Sequence, residues 1–515
     1  MSDVEFDDFA YESGDDDHYE EFGTDDDDQD MDMDLDDGLL PDISKHEQKD
    51  SEVEFAVHTL DEIRAFQTRE ADHVAGIIDI APEHAATLLR HFTWNKELLI
   101  ERYMDDPVRV LKEAGVRLAN ADGSSASGPV VTTVNNFTCE VCYGEGDDVL
   151  SVALRCGHRF CAACYAHYLT QKIRDEGESR RITCMGAKCK LIVDAATVAA
   201  LVDAATLSRY ETLLLRTFVD DSKYLRWCPA PNCDRAIECH VARTQLDKVV
   251  PSVTCSCGHR FCFGCALDDH QPCVCSLVKI WMKKCQDDSE TANWISANTK
   301  ECPKCQSTIE KNGGCNHMTC KKCRYEWCWV CLGPWAEHGS SWYNCGRFDE
   351  TASVNARDAQ AKARASLERY LHYYNRYANH EQSAKLDKKV YQATEAKMQE
   401  MQLQSDLSWI EVQFLKRAVD IVMSCRMTLK WTYAFAFYLD RTNMTELFES
   451  NQRDLELAVE HLSGLLESEI VPASIPQLRQ KVLDKTVYVQ QRRDILVEDT
   501  ARGLKEGRWT WTVRP

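Results

Sequence analysis

Apolar residues recur at helical spacing in four stretches of the chain. Between 53 and 118, Leu88, Leu89, Phe92, Leu98, Leu99, Tyr103, Val110 and Leu111 recur at helical spacing. Such a stripe lets a helix bury one face. Pro82 suits a first helical turn, Asn95 before Lys96-Glu97 an N-cap, and Gly115 a C-cap. A second stripe, Leu201, Leu207, Tyr210, Leu213, Leu214 and Phe218, predicts a helix over about 194–226. Leu277, Ile280, Trp281 and Trp294 predict another over about 276–298. From Arg347 to Ser463 there is no Gly or Pro, which predicts helices joined by short polar turns. Ile410, Phe414, Ala418, Ile421 and Val422 mark one buried face there. Trp431–Leu439 alternates like a strand, but its setting favours a buried helix. Pro472 and Pro476 break the run, and a last helix is expected over about 476–504. Residues 119–136, rich in Gly, Ser and Asn, read as a linker.

Residues 1–50 carry no apolar period. The first 37 hold 19 Asp and Glu and no Lys or Arg. Such a segment cannot bury enough apolar surface to offset its ordering entropy, so a disordered acidic tail is expected. It accounts for most of the net charge of −24 and leaves the other 478 residues at −5. A protein built to grip nucleic acid needs a basic face. Here only short pairs occur, such as Arg180-Arg181 and Lys321-Lys322. No run of 18 apolar residues suggests a membrane span, and the acidic start lacks the pattern of a signal peptide. The expected location is cytoplasmic, with the nucleus as a second compartment.

Cysteine changes the picture most. Of 26 cysteines, 25 lie between Cys139 and Cys345. At this density in a reducing compartment they read as metal ligands or reactive thiols. Six C-x-x-C pairs occur, at 139/142, 161/164, 262/265, 302/305, 320/323 and 328/331. The short spacer lets one tight turn aim two sulfurs at one tetrahedral zinc. A first block supplies Cys139, Cys142, Cys156, His158, Cys161, Cys164, Cys184 and Cys189. A second supplies Cys228, Cys233, Cys255, Cys257, Cys262, Cys265, His270 and Cys275. A third supplies Cys302, Cys305, Cys320, Cys323, Cys328, Cys331, His338 and Cys345. Eight ligands per block is enough for six structural zinc ions. In the second block His259 competes with Cys255, and Cys273 with Cys275. Cys255 is favoured because it leaves no cysteine stranded beside the metal, and Cys275 by its longer reach from His270.

The first block, C-x2-C, C-x-H, C-x2-C, C-x4-C, resembles a RING finger with cross-braced ligand pairs. Three such blocks in a row resemble the RING-between-RING ubiquitin ligases. Cys228-Pro-Ala-Pro-Asn-Cys233, the run 290–305 and Gly313-Gly314-Cys315-Asn316-His317-Met318 are similar to the Ariadne subfamily. The resemblance implies a multidomain fold of α-helical domains and small zinc-stabilised α+β modules. Its parts are an acidic tail (1–50), a UBA-like helical domain (53–118), a linker (119–136) and RING1 (137–192). A helical linker (193–226), an in-between-RING module (227–276) and a second helical linker (277–300) follow. A catalytic RING2-like module (301–346) and a helical Ariadne-like regulatory domain (350–515) complete it. Lys190 stands where many simple RING ligases have a ubiquitin-clamping Arg, which fits transfer through an enzyme cysteine.

Five cysteines remain outside the zinc count: Cys239, Cys273, Cys285, Cys315 and Cys425. Cys315 lies between two ligand pairs, on a Gly313-Gly314 turn expected to expose it, with His317 two residues on. A nearby imidazole favours thiolate or takes a proton from an incoming amine. The resemblance implies that Cys315 accepts ubiquitin from a charged E2 as a thioester and passes it to a substrate lysine. It implies a Glu assisting His317, with Glu326 a better match than Glu310. It implies E2 contact at Val141, autoinhibition by the C-terminal domain with Asp387 and Glu460 on its inhibitory surface, and release by a NEDD8-modified cullin complex. The competing classes are a RING scaffold without its own cysteine chemistry and a nucleic-acid-binding zinc protein.

Overall fold

The computed structural model describes residues 49–118, 130–134, 136–146, 149–287, 299–311, 313–338, 345–349, 359–404, 414–467 and 475–513. Residues 1–48 of the acidic tail lie outside them, as do Trp294 and Ile410. A strand, Phe55–His58, precedes four helices: α1 (Leu60–Ile78), α2 (Pro82–His91), α3 (Lys96–Asp105) and α4 (Pro107–Ala114). Local signals set their ends. Thr59 and Glu62 form a reciprocal capping box at α1. Pro82 opens α2, and the Asn95 side chain accepts from Leu98 N (3.0 Å) at α3. Gly115 ends α4 at φ +69°, where a Cβ would also collide with the Lys190 carbonyl. Glycine is required there for both turn and close approach. Leu88, Leu89 and Leu99 are fully buried between these helices.

Strand Phe55–His58 was not expected from the apolar pattern. It pairs antiparallel with Ala236–Cys239, which pairs with Leu225–Trp227. The strand is too short and too exposed for its own alternation to mark it, and its partner strand is Ala236–Cys239, far along the chain. The linker reading also changes at its end. Val130–Thr133 pairs with Leu150–Ala153, which pairs with Arg159–Cys161. Its β-branched Val-Val-Thr-Thr sequence suits an edge strand. Helix α5 (Ala162–Arg174) packs on this sheet through Tyr165, Leu169 and Ile173. The single helix expected over 194–226 is two, α6 (Ala195–Leu201) and α7 (Ala204–Asp221). Asp194 and Asp203 cap their starts through Thr197 N and Thr206 N. On α7, Leu215, Phe218 and Val219 close over Ile63 of α1.

Helix α8 (Cys275–Asp287) ends before the expected boundary, with 288–298 outside the described residues. Two hairpins follow, Thr299–Glu301 with Thr308–Glu310 and His317–Thr319 with Glu326–Cys328. The C-terminal helices are α9 (Ala359–Gln404), α10 (Phe414–Phe437), α11 (Asn443–Glu467) and α12 (Ile475–Lys505). Trp431 to Ala436 of α10 are buried all round, so helical and strand periodicity cannot be told apart there. Trp281 of α8 is fully buried in this bundle against Tyr370, Tyr377 and Phe437. At the other end, Asp50 accepts from Lys505 of α12 (2.7 Å) and Ser51 donates to Glu498 (2.8 Å).

Candidate metal centres and catalytic thiol

Each cysteine block resolves into four-ligand clusters. Cys139, Cys142, Cys161 and Cys164 converge, and Cys156, His158, Cys184 and Cys189 converge beside them. These sets interleave in sequence, which cross-braces the module. The later sets are sequential: Cys228, Cys233, Cys255, Cys257; then Cys262, Cys265, His270, Cys275; then Cys302, Cys305, Cys320, Cys323. A sixth set follows: His338 lies 3.4 Å from Cys331 Sγ, and both Cys328 and Cys331 interact with His338 and Cys345.

The spacing of the sulfurs shows what they fit. Sγ–Sγ separations are 3.5–3.7 Å at 142/161, 156/184, 228/257, 233/255, 262/275, 302/323 and 305/320. A disulfide would be about 2.05 Å. A tetrahedron with Zn–S arms of about 2.3 Å has edges of about 3.8 Å. All 26 cysteines are free of disulfides. The histidines are oriented for the same task. His270 Nδ1 faces the Cys273 carbonyl (2.6 Å) and His338 Nδ1 the Pro334 carbonyl (3.0 Å), leaving each Nε2 toward the sulfurs. His259 lies outside the cluster, 3.7 Å from Asp268. Cys273 contributes its carbonyl rather than its sulfur.

Cys315 stands outside both clusters of the third block. The sequence expectation of an exposed thiol is wrong here: Cys315 is 8% exposed. The glycines bring the loop against the C-terminal helices. A Cβ on Gly313 would collide with the Glu467 carboxylate, and one on Gly314 with that of Asp387. Helices α9 and α11 supply most of the cover. Cys315 N donates to Glu467 Oε1 (3.4 Å), and its Sγ lies 3.9 Å from the Glu460 carbonyl. Asn316 N and Nδ2 both donate to the Glu460 carboxylate (2.5 and 2.8 Å). Arg426 of α10, fully buried, donates to Asp387 (2.6 Å), Glu460 (3.1 Å) and Ser463 (3.2 Å). Buried Lys311 donates to Asn316 (2.9 Å), Asn379 (3.2 Å) and Ser383 (2.9 Å). Burial pushes the Cys315 thiol far above its ordinary value, and Glu460 and Glu467 push it further.

Asp387 and Glu460 are therefore buried in this network. His317 stacks on Trp335 at 4.3 Å, and its backbone N–H donates to Cys315 Sγ (3.4 Å). Its Nε2 lies 3.4 Å from Glu326 across the hairpin, without hydrogen-bond geometry. Glu310 is exposed on the preceding hairpin. Val141 is 52% exposed between Cys139 and Cys142. Sequence reasoning missed Lys311, Arg426 and Glu467. Glu467 meets the thiol loop across 152 residues and Arg426 reaches it through Glu460, so no local spacing marks them. Lys311 lies five residues from Asn316, but its burial rests on Asn379 and Ser383 of α9.

The chain aligns with E3 ubiquitin-protein ligase dbl4 of Schizosaccharomyces pombe at 56% identity, covering 93% of each chain. This chain belongs to the Ariadne family of RING-between-RING E3 ubiquitin-protein ligases. Its relatives in that family include ariadne-1 of Drosophila melanogaster, 44% identical over 92% of this chain and 93% of that one. Human ARIH1 is 46% identical over 82% of this chain and 76% of that one. The ARIH1 UBA-like domain matches at 65–105, and the Ariadne domain at 368–493. IBR domains match at 208–275 (a half RING-finger) and at 297–342. This Ariadne ligase is thus a ubiquitin transferase with zinc-compatible cysteine clusters.

Proposed function

We propose that this Ariadne ligase moves ubiquitin in two steps through Cys315. Charged E2 docks on the module at 137–192, with Val141 in the contact. The Cys315 thiolate attacks the E2 thioester; the E2 sulfur leaves, and ubiquitin is held on Cys315. The amine of a substrate lysine then attacks that carbonyl. An isopeptide bond forms, the Cys315 sulfur leaves, and His317 takes the amine proton with Glu326 orienting its ring. Six zinc ions are held by the six four-ligand sets. Each set is closed, with no position for water, so zinc supplies fold rather than reaction chemistry. The observation that carries this reading is Cys315 itself, unligated and gripped in a loop between metal clusters.

The region 350–515 holds the enzyme inactive. It covers the thiol and keeps its proton on, and a protonated thiol is a poor nucleophile. Asp387 and Glu460 act in this closure together with Arg426. A NEDD8-modified cullin complex, contacting the domain at 53–118, is the releasing partner, and the enzyme works in the cytoplasm. The test is single-turnover discharge of charged E2. Cys315→Ala should bind charged E2 and transfer nothing. Cys315→Ser should trap a ubiquitin adduct that resists reductant and yields to hydroxylamine. Full transfer by Cys315→Ala would leave only the scaffold reading.

A further inference from the structure

The UBA-like helices and the first zinc module enclose a cavity of about 380 Å³ that none of the transfer chemistry uses. Four arginines line it: Arg90 of α2, Arg117 beyond α4, and Arg155 and Arg180 of the zinc module. Three of them have partners. Arg180 donates to Asp221 (2.5 Å). Arg155 donates to His84 Nε2 (3.0 Å) and the Arg117 carbonyl (2.7 Å), and Arg117 donates to the Arg155 carbonyl (3.3 Å). Arg90 has none among the described residues, and its Nε is sealed from solvent. His84 accepts from Arg155 on Nε2, so its proton sits on Nδ1, a second buried donor without an acceptor.

Acid does not compensate this wall. Asp194 lines the cavity but caps α6 (2.7 Å to Thr197 N), and Glu83 sits at the exposed rim. The walls are joined. Ile192 N donates to the Gly115 carbonyl (2.9 Å) and Arg181 to the Glu113 carbonyl (3.2 Å), so the space is preformed. A guanidinium stays protonated in a protein, and a half-buried one with no counter-charge is left poorly compensated. Planar guanidinium forks arriving from several elements match the oxygens of a phosphoryl group.

We propose that this cavity binds a small phosphorylated anion, held by Arg90, Arg117 and Arg155, that ties the UBA-like domain to the first zinc module. The site is independent of the route ubiquitin takes. The acidic tail of this chain offers carboxylates instead, and it enters the test as a competitor.

The measurement is titration calorimetry on the full-length, zinc-loaded chain at fixed ionic strength. The probes are inorganic phosphate, pyrophosphate, succinate and a synthetic peptide of residues 1–37. Pyrophosphate should bind one site per chain, more tightly than phosphate, with zinc content unchanged. Arg90→Gln should weaken it about 10- to 100-fold, the loss of a charge-assisted contact, and Arg90→Lys should recover part. Without ligand, Arg90→Gln should unfold at the same or a higher temperature, because a half-buried cation without a protein partner has gone. A merely structural arginine would give the opposite shift. If Arg90→Gln does not fold, Arg117→Gln, which gives up a single internal bond, should show the same loss. Undiminished binding in the folded variant, no saturable binding at millimolar pyrophosphate, or equal binding of succinate or the peptide would overturn the proposal.

Discussion

At the scale of single residues, the covered thiol is governed by groups that titrate in opposite senses. Burial, with Arg426 nearby, lowers Lys311 from 10.5 to about 8. Below pH 8 it is protonated in covered and released forms alike. Between about 8 and 10.5 only the released form keeps its proton, so cover strengthens as pH rises. Cys315 works the other way, because the covered thiol holds its proton while a released one ionises near 9.0. In Cys315→Ala only Lys311 remains of the two. Amide exchange at 313–318, corrected for intrinsic rates, should then slow from about pH 8 to 9.5, and Lys311→Met should abolish that slowing. The glycines give a second prediction. A Cβ at Gly314 would strike Asp387, and overpacking of this kind costs about 1–3 kcal/mol. Gly314→Ala should raise basal discharge about 10- to 100-fold without a releasing partner. Basal discharge no faster than wild type would mean the contact does not limit activity.

At the scale of elements, short hairpins and turns depend on the metal they enclose. The modules have strands of two to four residues, too short to fold on pairing alone. Closed zinc sites contribute folding free energy directly. Metal analysis should find about six zincs per chain, four ligands to each, and chelation should unfold the modules cooperatively. Cys255→Ala should lose one zinc, while His259→Ala should keep all, because His259 faces Asp268. Ligand spacing was readable because a C-x-x-C turn is a local property. Between Cys273 and Cys275 the longer reach from His270 favoured Cys275, and the fold agrees: Cys275 Sγ joins the cluster while Cys273 offers only its carbonyl.

At the scale of the whole chain, the C-terminal bundle does more than cover a thiol. It shares one apolar core with α8 and the in-between module, including Leu277, Val278 and Trp281. A chain ending near residue 349 should discharge E2 faster than full length. It should also expose Trp281, seen as red-shifted fluorescence, and unfold at a lower temperature. Gly314→Ala should give the first effect without the other two. Truncation alone therefore mixes release with loss of core, and the point variant separates them.

What the sequence alone determined is local or additive. Helix caps at Asn95 and Gly115, the grouping of cysteine and histidine into blocks, and Cys315 as one of five cysteines left outside them follow from residue type and spacing. These signals need only the nearest turn of chain. Tertiary structure decided what depends on distant encounters. It set the pairing of Phe55–His58 with Ala236–Cys239, the burial of Cys315, and the Arg426–Asp387–Glu460 network closed over it. A glycine pair reads as a freely exposed turn until an acidic helix is packed against it. The same two residues that permit exposure permit the closest approach, and only the fold chooses between them.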